Sequence, residues 1–166
     1  MLEMKRLSPV IGAEVSGANL ISPNDDEFKE LEQALSEYSV LFFRDQPTLS
    51  PKQQVAFATQ FGTLHSHPAA PVLEDDEAIF VIKTDANSKV ANGNGWHTDV
   101  SCDDEPPLVT MLQLHQLPET GGDTLFSSMY AAYETLSPKM KIFLADLDAS
   151  HESEHVYQGR YSDRGV

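Results

Sequence analysis

His97 and Asp99 stand two positions apart in the run Gly-Trp-His-Thr-Asp at residues 95–99, and Gly121-Gly122-Asp123-Thr124 follows further along the chain. On an extended strand or at its end, residues i and i+2 project to the same face, so an imidazole nitrogen and a carboxylate oxygen can grip one ion together. That donor mixture is the one a non-haem ferrous site uses, with two His and one acid on one face of the metal and the other face open. An isolated His-x-Asp is equally what a solvated turn or a helix cap looks like, so its surroundings must decide. A second motif competes with it: His151-Glu152-Ser153-Glu154-His155 fits the H-E-x-x-H pattern of a zinc metalloprotease, which needs a helix to put His151 and His155 on one face. Glu154 places a charge inside that motif, and Tyr157-Gln158-Gly159-Arg160 breaks any helix at once. A solvated loop, or a lid over a pocket, is the preferred account of it.

The elements that must position these groups are short. A strand-like segment is expected at 11–15, before a loop punctuated by Gly17 and Pro23. Phe28, Leu31, Leu35 and Tyr38 then recur at helical spacing, with Glu27, Glu30 and Glu37 off that face. The apolar run 40–43 reads as a buried strand. Ser50-Pro51-Lys52-Gln53 predicts a capping box opening a second helix, which carries Val55, Ala58 and Phe61 and stops at Gly62. Further strands are expected at 79–82, 108–114 and 123–126. The Asn- and Gly-rich stretch 85–95 is a loop that delivers the chain into the His-x-Asp motif. Helices are expected at 130–136 and 138–147, the second with Met140, Phe143, Leu144 and Leu147 on one face. His115 reads as a satisfied interior or edge residue rather than a ligand. Together these predict one domain over residues 1–166 of mainly β or α+β class.

Composition narrows the function. Forty per cent hydrophobic and 22% charged residues in 166 fit a globular domain with a real core. A formal charge of −15 opposes nucleic acid and anionic lipid, although local cations could still hold a small anionic substrate. The single Cys102 excludes an internal disulfide and suits packing or pocket lining better than reactivity. No run reaches the ~18 apolar residues of a membrane span, and the N-terminus lacks a signal-peptide core. The expectation is a cytoplasmic protein acting on a small molecule, with no nucleic-acid or membrane partner and a homo-oligomer compatible with the sequence.

From Trp96 the sequence WHTDVSCDDEPPLVTMLQLHQLPETGGDTLFSSMYAAYETLS resembles the taurine/2-oxoglutarate-dependent dioxygenase family nearly without gaps. IGAEVSGANL at 11–20, VLFFRDQ at 40–46 and FGTLHSHP at 61–68 carry the resemblance through the N-terminal part. It implies a double-stranded β-helix, a jelly-roll barrel with helices packed outside. It also implies Fe(II), 2-oxoglutarate and O2, with His97 and Asp99 as iron ligands and catalytic residues, and Thr124 as a cosubstrate contact. The implied reaction is oxidative decarboxylation of 2-oxoglutarate to succinate coupled to substrate hydroxylation; on a taurine-like sulfonate this cleaves C–S and releases sulfite, as in taurine catabolism. Trp96 is expected to pack and fix the orientation of the motif. His67 falls where the family places a substrate-binding His. The chain departs from the pattern at Ala70, where a pocket Tyr is expected, at Cys102, where an aromatic is expected, and at Gly93, where an Asn is expected. Asn94 is the substitute for that Asn by a one-residue shift. These departures argue against taurine itself and leave the iron chemistry intact.

The family's second ligand His and its 2-oxoglutarate-binding Arg come from a segment well beyond Val166; His151 and His155 come too early, and Arg160 and Arg164 lack the matching context. The expectation is therefore an N-terminal half to two-thirds of a dioxygenase domain, incomplete at its C-terminus and without full activity as written. A truncated, non-catalytic paralogue acting as a binding module is the alternative.

Overall fold

The computed structural model of the chain describes residues 1–66, 72–73, 76–85, 87–88, 93 and 95–153. In chain order the elements are β1 (Glu3–Arg6), β2 (Ala13–Ser16), α1 (Asp25–Tyr38), β3 (Leu41–Phe42), α2 (Pro51–Ala58), a 3-10 turn (Thr59–Phe61), β4 (Val72–Leu73), β5 (Asp76–Phe80), α3 (Met129–Glu134) and α4 (Pro138–Leu144). They fall into two compact units, Met1–Leu49 with Gln113–Asp148, and Ser50–Leu112 with Ala149–Val166.

In the first unit β1 pairs antiparallel with β2, and β2 pairs parallel with β3 in the order β1-β2-β3. The parallel step is bridged by α1, as a crossover connection requires. Alternation along β2 buries Ala13 and Val15, while Glu14 on the other face meets Arg44 at 3.1 Å. Leu31 and Ala34 of α1 are buried too, with Leu2, Leu20 and Leu49 also in the core. The helix starts where its chemistry dictates: the Asn24 side chain accepts from the Asp26 and Glu27 amides, and the Glu27 carboxylate accepts from the Asn24 amide at 2.9 Å. Asp25, Asp26 and Glu27 add charge that complements the helix dipole. It ends at Ser39, whose φ of 62° turns the chain in the left-handed sense and sends its N–H to the Leu35 carbonyl.

In the second unit α2 opens with the expected capping box, Ser50 with Gln53, and Pro51 at the first turn. Its buried anchor is Phe57, edge-to-face with Phe61 at 5.6 Å, rather than Val55 or Ala58. β4 and β5 form an antiparallel pair.

Several expectations need correction. Residues 108–114 and 123–126 form no strand. From 107 to 113 side chains alternate between half-buried and exposed as on a pleat, with Pro107, Val109, Met111 and Gln113 on one side. No ladder partner lies beside them among the described residues, and a strand exists only by pairing. Gln113 instead uses its amide to clamp the Leu49 backbone, accepting from its N–H at 2.8 Å and donating to its carbonyl at 3.0 Å. Phe126, on the second unpaired stretch, packs edge-on against Phe42 at 5.8 Å. The apolar face expected on the last helix is uncovered among the described residues: Met140, Phe143, Leu144 and Leu147 are all exposed. His115 is exposed as well, held by the Gln113 amide at 3.1 Å. The described residues thus form a mixed α and β arrangement in which helices outweigh short strands, and they do not themselves close a jelly roll.

Candidate metal centre

Gly95 sets up the site. Its φ of 142° is a backbone conformation that an L side chain rarely adopts, and it aims the Gly95 carbonyl so that His97 Nδ1 donates to it at 2.9 Å. A carbonyl can only accept, so Nδ1 carries the proton and a neutral His97 presents the bare lone pair of Nε2. Asp99 is held from the other side. Thr110 Oγ1 donates to its Oδ2 at 2.8 Å, which leaves Oδ1 free, and Oδ1 lies 3.3 Å from His97 Nε2.

Two acceptors that face each other at this distance repel unless a positive charge sits between them. A proton on Nε2 meets that need, and so does a divalent metal. For metal–ligand bonds of ~2.1 Å, two donors at right angles are ~3.0 Å apart and two at a tetrahedral angle ~3.4 Å. The observed 3.3 Å lies within that span, and both side chains are about half exposed, open to an ion from solvent. The nitrogen and oxygen donors suit a first-row divalent metal. Among the described residues, no group of three His, Cys, Asp or Glu is gathered to hold a metal, so this is a two-donor clip.

The turn after Asp99 is strained. Val100 has φ 49°, where a β-branched residue costs of order 1–3 kcal/mol. The Asp103 amide closes the turn onto the Val100 carbonyl at 3.1 Å. Two further contacts hold the same loop: His65 Nε2 lies 2.8 Å from Asp103 Oδ2, and His151 Nδ1 lies 2.8 Å from Ser101 Oγ. His151 is thereby engaged with this loop, and residues 147–153 carry no helix, so the helical spacing that H-E-x-x-H needs is missing from its described part; His155 lies outside the described residues. Cys102 is exposed, so of the packing or pocket-lining role expected of it packing in a core does not hold, and it lines an open surface depression with Asp103, Asp104 and Glu105. Trp96 is 71% exposed and likewise does not pack over the motif.

His67, Asn94 and Ala70 lie outside the described residues, as do Arg160 and Arg164. Thr124 belongs to the first unit, exposed just after Gly121 and Gly122. Both glycines have positive φ, and a Cβ on Gly122 would come within 3.3 Å of Pro118, so this turn requires the residues it has. Thr110 and His65 were not singled out from sequence. A threonine in an apolar run gives no sign of a bond to a carboxylate eleven positions earlier, whereas His65 was at least visible in the cluster with His67.

The family model of the taurine catabolism dioxygenase TauD, TfdA family matches residues 3–165. The chain belongs to this family. Among TauD/TfdA proteins it is 38% identical over 159 residues to an alkylsulfatase of Acinetobacter baylyi, which covers 95% of this chain and 49% of the relative. It is 32% identical over 158 residues to an alpha-ketoglutarate-dependent sulfate ester dioxygenase of Pseudomonas putida, covering 94% of this chain and 51% of the relative. The crystal structure of a taurine dioxygenase from Burkholderia xenovorans superposes with a TM-score of 0.70 at 31% identity, over 87% of this chain and 51% of that one. The chain thus spans about half the length of these TauD/TfdA proteins.

Proposed function

We propose that this chain carries the metal-binding part of an Fe(II)- and 2-oxoglutarate-dependent dioxygenase, with His97 and Asp99 as two of the three protein ligands. The convergence of Nε2 and Oδ1, each fixed by a hydrogen bond on its other side, carries the reading. When bound, the iron supplies the O2 activation that couples decarboxylation of 2-oxoglutarate to substrate hydroxylation. The chain's own residues hold and orient. Gly95 selects the His97 tautomer, and Thr110 restrains the Asp99 carboxylate. Thr124 is assigned to the cosubstrate carboxylate, and His67 and Asn94 to the substrate, on family resemblance.

The substrate is assigned to small organosulfur anions, alkyl sulfate esters first and sulfonates second. Support comes from the 38% and 32% identities to an alkylsulfatase and a sulfate ester dioxygenase. One oxygen atom of O2 enters succinate and the other becomes a hydroxyl on the carbon that bears the sulfur group. Collapse of that carbon to an aldehyde expels sulfate from an ester or sulfite from a sulfonate.

The test is turnover by protein produced from the complete open reading frame, supplied with Fe(II), 2-oxoglutarate and O2. A panel of alkyl sulfates and sulfonates should give succinate in step with aldehyde, and inorganic sulfate from the preferred substrates. Sulfite without sulfate would move the assignment to sulfonates. Iron binding with no succinate from any substrate would favour a non-catalytic binding module.

A further inference from the structure

Thr110 lies eleven residues beyond Asp99 on the unpaired stretch 107–113, yet it is the only described side chain with a hydrogen bond to the Asp99 carboxylate. The bond is 2.8 Å long and goes to Oδ2, the oxygen turned away from His97. Among the described residues no amide of the local turn donates to that carboxylate, and the Asp103 N–H is committed to the Val100 carbonyl at 3.1 Å. An unrestrained carboxylate on a half-exposed loop can rotate about its terminal bond and offer a metal both oxygens.

We infer that Thr110 is a positioning residue which keeps Asp99 a one-oxygen ligand and so preserves an open coordination position; this rests on the proposed role of Asp99. With Oδ2 accepting the Thr110 hydroxyl, only Oδ1 is free, and it is the oxygen already beside His97 Nε2. A carboxylate that swung to bind through both oxygens would fill one more position on the ion. That position is one that a chelating cosubstrate or a water needs. Thr110 therefore controls two separable quantities, the strength of metal binding and the number of positions left to exchangeable ligands.

Mn(II) alone is the probe, titrated into wild type, Thr110→Val, Thr110→Ser and Asp99→Ala, with free Mn(II) read by electron paramagnetic resonance and bound waters by proton relaxation. Thr110→Val keeps the shape and removes the hydroxyl; it should bind Mn(II) about 10- to 100-fold more weakly, the usual effect of losing a partner of a metal ligand. The Mn(II) it does bind should relax water protons less, because Asp99 occupies an extra position. Thr110→Ser restores the hydroxyl and should recover both readings. Thr110→Val equal to wild type in both would overturn the inference while leaving the ligand role intact. Thr110→Ser as impaired as Thr110→Val would also overturn it, because the methyl group would then be what matters. Wild type and Asp99→Ala binding alike would remove the ligand assignment, and the positioning role with it.

Discussion

Replacing Gly95 by alanine tests how His97 is prepared for a metal. At φ 142° an alanine must either stay in a conformation that costs of order 1–3 kcal/mol or rotate the peptide to negative φ. Rotation moves the Gly95 carbonyl away from His97 Nδ1, now 2.9 Å distant, and frees the ring to adopt the other tautomer or turn outward. The loop here is exposed, so rotation meets little packing resistance and is the cheaper course. Losing such a partner of a ligating His typically weakens metal binding 10- to 100-fold, or about 1.4–2.7 kcal/mol. Gly95→Ala should therefore show that loss while its metal-free melting temperature stays within a few degrees of wild type. Trp96 is the only tryptophan, is largely exposed and adjoins His97, so quenching of its fluorescence by Co(II) reports binding directly. Co(II) affinity within twofold of wild type, at an unchanged melting temperature, would show that the carbonyl does not prepare the imidazole.

Other consequences follow from the packing. Leu31 is 1% exposed at the centre of the first unit, so Leu31→Ala should cost about 2–5 kcal/mol by denaturant titration. Ser39 pays for a left-handed φ of 62° on an exposed surface, and Ser39→Gly should stabilise by up to ~1 kcal/mol, seen as a higher melting temperature. His151 contacts Ser101 and residues 151–153 carry no helix, so His151→Ala should leave Zn(II) and Mn(II) affinity within about twofold of wild type; a loss above tenfold would restore the H-E-x-x-H reading.

What could be read from sequence was whatever is encoded locally. Asn24 with Glu27 and Ser50 with Gln53 mark helix starts because a cap satisfies amides only a few residues away. His97 and Asp99 were legible for the same reason, as two donors at one short spacing. Interactions set by distant partners left no such trace. Residues 108–114 have the alternation of a strand, yet pairing rather than pattern decides whether a ladder forms. β1, with the sequence Glu-Met-Lys-Arg, lacks the apolar bias of a strand and became one because residues 13–16 offer it a partner. The Thr110–Asp99 bond and the Gln113 clamp on Leu49 link residues 11 and 64 positions apart, which no periodicity announces.

The central claim is that His97 and Asp99 together bind the metal at which 2-oxoglutarate chelates. Anaerobic addition of Fe(II) and then 2-oxoglutarate to protein from the complete open reading frame tests it through the visible charge-transfer absorption of the chelate. The account predicts that band in wild type, its loss in both His97→Ala and Asp99→Ala, and its retention in His151→Ala. A band of undiminished intensity in either ligand variant, or its loss only in His151→Ala, would contradict it.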